Sequence, residues 1–309
     1  MRRGERLCQV PGPEAMSCER EGELRARLAG LEHGRRRTAG TGAVYAQWRG
    51  QVSRRQFRRL VEEAREEDRR QEERRRVWVE WRSPGLVWAM DDLALTGAGV
   101  MWHQVQDLGS RYKLEPAVAC RRRGVLGGDE VARHLERLFG AWGAPLVLKR
   151  DNGSNLNHHE VDAVLEAHGV LALNSPPRYP RYNGGIEAGV REIRATVETL
   201  LAGLGAEAVA GLSGEVAALL NRRARPCLRG QTSEIVFGLA GAAAASYGMG
   251  DRKEVRGYVE ALAEELLGRL EGDGPRARQW AWRRAIETWL QARGVIAVHA
   301  AAEVLPCFP

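Results

Sequence analysis

Asp91, Asp151 and Glu187 are the residues of this chain whose types and settings point most directly to chemistry. Asp91 lies within the apolar run that begins Leu86-Val87-Trp88-Ala89-Met90, and Asp151 follows Leu146-Val147-Leu148-Lys149-Arg150 and opens an Asp-Asn-Gly turn. Glu187 stands just inside a helical pattern, after a loop rich in Pro and Gly. Two strand ends and one helix start can bring three carboxylates together. Clustered carboxylates repel one another unless cations neutralise them, so the trio reads as a site for a hard divalent metal such as magnesium. Taken singly, each acid has a plainer reading: a strand-edge aspartate, a turn-forming Asp-Asn-Gly, and a first-turn glutamate favoured by the helix dipole.

The elements that must position these acids follow from periodicity. A core is expected from about Trp78. Apolar runs at 86–95, 100–107 and 112–119 predict three strands of an antiparallel meander, with turns near Gly97 and Gly109. Then come a helix at 129–141, a strand at 146–150, a helix at 158–168, a strand at 170–174 and a long helix at about 184–202. Neighbours on a strand point to opposite faces, so Asp91 and Asp92 cannot both face one site. Arg191 and Arg194 share a helix face with Glu187, where Arg191 could also pair with the glutamate in the ordinary way. His158 and His159, close behind the second acid, read as polar positions near a helix start.

The motifs in their order resemble the catalytic core of retroviral integrases and of bacterial insertion-sequence transposases. Val87-Trp88-Ala89-Met90-Asp91 looks like the family's first strand, Asp107-Leu108-Gly109-Ser110-Arg111 like the end of its second, and Lys149-Arg150-Asp151-Asn152-Gly153-Ser154 like its second acid motif. Ser175-Pro176-Pro177-Arg178-Tyr179-Pro180, Asn183-Gly184 and Glu187 resemble the segment presenting the third acid. Asn221, Arg225-Pro226, Leu228, Gly230, Thr232 and Glu234-Ile235-Val236-Phe237 look like the stretch that closes the core in the transposase branch.

The resemblance implies an α/β fold, a ribonuclease H-like mixed sheet flanked by helices. It selects Asp91 over Asp92, and it implies that Asp91, Asp151 and Glu187 hold two Mg2+ or Mn2+ ions for cleavage of DNA ends and strand transfer. Double-stranded DNA and a second copy of the chain are the partners it implies, with Arg191 and Arg194 on the DNA end, Asn152 and Asn183 ordering loops, and Asp107 supporting its strand. Gly185 and Ala188 stand where the family often has basic residues, and Ser233 where it usually has proline. These departures keep open a catalytically silent DNA-binding relic of a mobile element. A ribonuclease H-like metal nuclease without strand transfer is the third reading.

Outside the core at 78–240, residues 1–37 read as weakly ordered, with only a short Leu24/Leu28/Leu31 stripe. Residues 38–77 read as a helix-turn-helix-like segment with Ser53 as N-cap, followed by a charged connecting helix. Arg54, Arg55, Arg58 and Arg59 open its second helix and suit phosphate or guanine contacts; a solvated helical arm is the other reading. Residues 241–309 carry two amphipathic helices and read as a helical module, with oligomerisation as one use. The net charge of +7 and pI of about 9.5 favour a polyanionic partner, although an excess of 44 arginines over three lysines is also what a GC-rich coding sequence produces. Five cysteines without a Cys-x-x-Cys pair indicate neither a disulfide framework nor a zinc ribbon. A cytoplasmic location, nucleoid-associated in a bacterium, with no membrane span, is expected.

Overall fold

Alternation along one strand organises the larger part of the molecule. In β2 (Val87–Leu95), Val87 and Ala89 share a core with Ile186 and Trp289, and Leu93 and Leu95 share one with Ile193 and Val197. Trp88 and Met90, one residue out of phase, pack with Leu135, Leu148 and Val161 on the opposite face. The computed structural model describes residues 16–29, 40–74, 77–121, 124–151, 156–176, 182, 184–240, 246–270 and 272–300. The chain divides into two compact units, 1–77 with 300–309, and 78–299.

In the larger unit, β2 pairs antiparallel with β3 (Val100–Asp107), and β3 with β4 (Ala117–Ala119). On its other side β2 pairs parallel with β5 (Val147–Arg150), and β5 with β6 (Leu171–Asn174). The five-stranded order β4-β3-β2-β5-β6, with an antiparallel meander followed by two parallel strands, is the ribonuclease H-like arrangement expected from the element order. Helices α4 (Gly128–Trp142) and α5 (His159–Ala167) cover the even-numbered face of β2. Helix α6 (Gly184–Leu200) covers the odd-numbered face, with α7 (Ala206–Gly211) and α8 (Ser213–Asn221) beyond it. Helix α9 (Ser233–Ala240) sends Phe237 into the α4 side, where it stacks on Tyr112.

The third strand is shorter than the expected 112–119. Lys113 makes only an isolated bridge to Gln106, and its backbone groups, which face away from β3, are held by Asn221 at the end of α8: the Lys113 amide donates to Asn221 Oδ1 (2.8 Å) and Asn221 Nδ2 donates to the Lys113 carbonyl (2.8 Å). Pro116 then removes a further ladder donor. The C-terminal helices, α10 (Met249–Gly268) and α11 (Pro275–Ala292), lie against the five-stranded sheet itself. Val259, Ile286 and Trp289 belong to the core that holds Val87, Val147 and Ile186, and Arg252 fastens α10 by donating to the carbonyls of Pro145 and Ala144 (both 2.7 Å). The helical reading of 241–309 missed a strand, since β7 (Ile296–Ala300) forms a two-stranded sheet with β1 (Val77–Trp81).

In the smaller unit, Leu24 and Leu28 correct the expectation of weak order. They lie on α1 (Cys18–Ala29) and pack with Val44, Val52, Phe57, Leu60 and Val61; Leu31 lies outside the described residues. A turn joins α2 (Thr41–Trp48) to α3 (Arg54–Arg74), and Ser53 Oγ accepts the Gln56 amide at 3.1 Å, as an N-cap should. Helix α3 runs without a break into the charged stretch, where Glu66 pairs with Arg70 at 3.5 Å; Arg76 lies outside the described residues. Among the described residues no helix is long and apolar enough to cross a membrane.

Candidate active site

The β2 alternation sends Asp91 and Asp92 to different neighbourhoods. Asp92 lies on the α4 side, 2.6 Å from Nδ1 of the buried His103, whose ring meets that of His134 on α4 edge-on at 5.2 Å. Asp91 takes the α6 side, and its Oδ1 accepts the Asp92 amide at 2.9 Å. Its cross-strand partner Gln104 is buried and turned elsewhere, donating to the Val105 and Leu114 carbonyls and accepting the Trp102 indole N–H.

The second acid is placed by strand register. Val87 pairs with Val147 and Ala89 with Lys149, and Asp151 follows the end of β5, its charge one of those that act on Asp91. Lys149, Arg150 and Asp151 alternate in facing. Arg150 turns to the α5 side, where it donates to Asp162 Oδ1 (2.6 Å), Asn174 Oδ1 (2.8 Å) and the Leu156 carbonyl (2.9 Å). These bonds hold the strand end from which Asp151 emerges, and Asn157 Nδ2 donates to the Asp151 carbonyl at 2.7 Å.

The third acid depends on how closely α6 approaches the sheet. A Cβ at Gly189 would fall 2.0 Å from Gln106 Oε1, and one at Gly185 would fall 2.7 Å from Arg111 Nη1. Glycine at these two positions, one helical turn apart, lets the helix backbone sit against β3 and the turn after it. Gly185, where the resemblance expected a basic residue, leaves room for the Arg111 guanidinium. Glu187 flanks the buried stripe of α6, partly exposed, while Arg191 and Arg194 are exposed. Among the described residues, Glu187 and Arg191 form no ion pair.

The charges of Asp151 and Glu187 both act on Asp91. Burial raises the Asp91 carboxyl to about 6; its bond from the Asp92 amide opposes this, and the charges of Asp92, Asp151 and Glu187 add to it. Lys149, 2 % exposed, is pressed by burial down to about 7 while Asp151, Asp91, Glu187 and Glu287 favour its charged form. Its Nζ lies 4.3 Å from the ring centroid of Tyr182, whose hydroxyl donates to Glu287 Oε1 on α11 at 2.7 Å. All three carboxylates offer oxygen ligands, the donor set that suits Mg2+ or Mn2+.

Asp107 has a different task. Its Oδ1 accepts the Gly85 amide (2.8 Å), and its Oδ2 accepts the Ser110 amide (2.7 Å) and hydroxyl (2.5 Å), joining two turns; a Cβ at Gly109 would strike the Pro84 backbone. The closing segment also proves to be a packing device. Arg225 donates to both Glu192 oxygens (2.7 and 2.9 Å) and to Ser233 Oγ (2.7 Å), and the buried Lys113 donates to Glu192 Oε2 at 2.7 Å. Burial alone would raise Glu192, yet its bonds from Arg225 and Lys113 hold it at about 2. Ser233, another departure, is buried as the Arg225 acceptor.

His158, His159 and Glu160 bring their ligand atoms together at the start of α5, but they are consecutive residues on one turn. Arg54, Arg55 and Arg58 are exposed at the start of α3, with Arg54 5.7 Å from the Tyr45 ring centroid. Asn152 and Asn183 lie outside the described residues. Sequence reasoning passed over Lys149, Tyr182 and Glu287. The available signal was the rarity of lysine, three in the chain, and its place at the end of an apolar strand.

No protein-family model matches the chain, and no curated protein does. Among solved structures, the chain is similar to the catalytic core domain of BIV integrase, with 18% identity and a TM-score of 0.42, over 52% of this chain and 97% of that one. It is also similar to a chain in the simian T-cell lymphotropic virus intasome in complex with PP2A regulatory subunit B56 gamma, with 14% identity and a TM-score of 0.43, over 50% of this chain. The match spans 54% of that intasome chain.

Proposed function

We propose that this chain is a metal-dependent polynucleotidyl transferase, a DNA transposase or integrase that cleaves DNA ends and joins them to target DNA. What supports this reading is a ribonuclease H-like sheet with Asp91 on β2, Asp151 just past the end of the adjacent β5 and Glu187 in the first turn of α6, the charges of Asp151 and Glu187 both acting on Asp91. Asp91, Asp151 and Glu187 would hold Mg2+ or Mn2+, which when bound supplies Lewis-acid activation of the attacking oxygen and neutralises charge on the phosphodiester.

The protein's own part is to bind and align. The sheet holds two carboxylates, and the Arg150 clamp keeps the second from swinging away. Gly185 and Gly189 bring the third toward them. Arg191 and Arg194, exposed beyond Glu187, are positioned on the helix to take phosphates of a DNA end, and Arg54, Arg55 and Arg58 supply a second basic surface for double-stranded DNA. Pairing two ends would require an oligomer. The contacts made by Gly185 and Ser233 support an intact core over a silent relic, because both departures are built into their surroundings.

The test is an assay in Mg2+ or Mn2+ with the DNA ends flanking the gene, comparing the native protein with Glu187→Gln. Joined products that vanish in the variant support the proposal. Specific binding without cleavage would favour the relic, and cleavage without joining the nuclease.

A further inference from the structure

The geometry points to a metal site at the start of α5, built from His158, His159 and Glu160, for a borderline divalent ion such as Zn2+. It stands apart from Asp91, Asp151 and Glu187 and does not depend on those acids binding metal.

Successive residues inside a helix point about 100° apart and do not face each other. His158 escapes that rule because it is the N-cap of α5, with an extended backbone (φ −79°, ψ 153°), and its ring lies beside that of His159, the centroids 4.6 Å apart and the planes at 37°. Helix α4 leaves room for this ring: a Cβ at Gly128 would fall 2.4 Å from His158 Cγ. Glu160 then serves both histidines. Its Oε2 meets His158 Nδ1 and lies 3.3 Å from His159 Nδ1, and one ligand atom from each of the three residues lies within 4.8 Å of the others.

These separations suit a small ion. Bonds of about 2.0–2.1 Å to a tetrahedral Zn2+ set its donors about 3.3 Å apart, the spacing of His159 from Glu160. Two imidazoles and one carboxylate favour Zn2+ or Cu2+, whereas Mg2+ prefers oxygen donors alone. With both rings neutral the trio carries one negative charge, and its open face leaves the remaining coordination to water. An ion here would pin the turn that follows Leu156 and Asn157, whose contacts hold Arg150 and the Asp151 carbonyl.

The experiment titrates Zn2+ into the full chain by calorimetry in excess Mg2+, and reads Cu2+ in the same protein by electron paramagnetic resonance. The native chain should bind Zn2+ despite the Mg2+, and bound Cu2+ should show coupling to two nitrogens. His158→Gln and His159→Gln should each weaken Zn2+ binding about tenfold or more and remove one nitrogen coupling. Glu160→Gln should weaken Zn2+ to a similar extent and keep both nitrogens, and Asp91→Asn should leave affinity and spectrum unchanged. No Zn2+ binding by the native chain tighter than about 0.1 mM would overturn the inference and leave an ordinary ion-pairing turn. Native affinity and spectrum in either histidine variant would overturn it too, as would loss of the ion in Asp91→Asn, which would assign it to the carboxylates. Should a variant not fold, the native spectrum decides, since fewer than two coupled nitrogens excludes the site.

Discussion

Helix α6 carries two glutamates along the edges of its buried stripe, and their charge environments are opposite. Glu192 meets two cations, Lys113 and Arg225, with hydrogen bonds to both of its oxygens. Glu187, five residues earlier and so about 140° around the helix, shares the charge of Lys149 with Asp91 and Asp151. One carboxylate is saturated and serves packing. The other lies near Asp91, whose carboxyl its charge helps to raise. Helix position alone does not distinguish them; the number of cations delivered by other elements does.

The contrast can be broken first at Asp91. Asp91→Asn should lower DNA joining about a thousandfold or more, measured as joined product in Mg2+. Its Tm without metal should not fall, since an acid raised to about 6 by burial contributes no stability above that pH. A variant retaining activity would place the chemistry elsewhere.

The saturated glutamate should behave in reverse. Glu192→Gln leaves Lys113 buried without its counter-charge and should cost about 2–3 kcal/mol in urea unfolding, less than a fully buried pair because the glutamate side chain is 36 % exposed. Its carboxyl, held at about 2 against an ordinary 4.5, stabilises the fold above the ordinary value and loses that contribution as pH falls from 4.5 toward 2. The variant should therefore show a flatter stability profile across that window; an unchanged profile would remove Glu192 from its structural role.

A smaller effect sharpens the separation of the two sheet faces. Asp92→Asn alters the contact with His103 and should cost about 1 kcal/mol of stability, with joining within about threefold of native. If Asp92→Asn abolishes joining and Asp91→Asn does not, the faces have been assigned the wrong way round. Smallest of all, Arg191→Ala or Arg194→Ala should each weaken DNA binding a few-fold and lower the salt dependence of log K by about 1, read from binding isotherms at several salt concentrations.

Much of the fold was legible because periodicity is local. The strands at 87–95 and 100–107 and helix α6 lie close to where apolar spacing placed them, and the step of two along β2 foretold that Asp91 and Asp92 would part. What escaped depended on distant partners. The third strand starts only at Ala117, its register against β3 shifting by one residue after the Gln106–Lys113 bridge, while the outward-facing Lys113 backbone is held by Asn221, far along the chain. Leu24 and Leu28 looked like an isolated stripe until α3 gave them a surface to cover. The apolar faces of α10 and α11 announced a partner without saying that it was the five-stranded sheet.

By itself the sequence determined the three acids, their order and the elements that carry them, because residue type and strand or helix period are written locally. Only the tertiary structure decided which charges those acids share: Lys149 is enclosed beside the cluster by Tyr182 and Glu287, while Glu192 is matched by Lys113 and Arg225. The physical reason is that a carboxylate's role depends on cations and burial supplied by segments remote in sequence, and these meet it only when the helices close over the sheet.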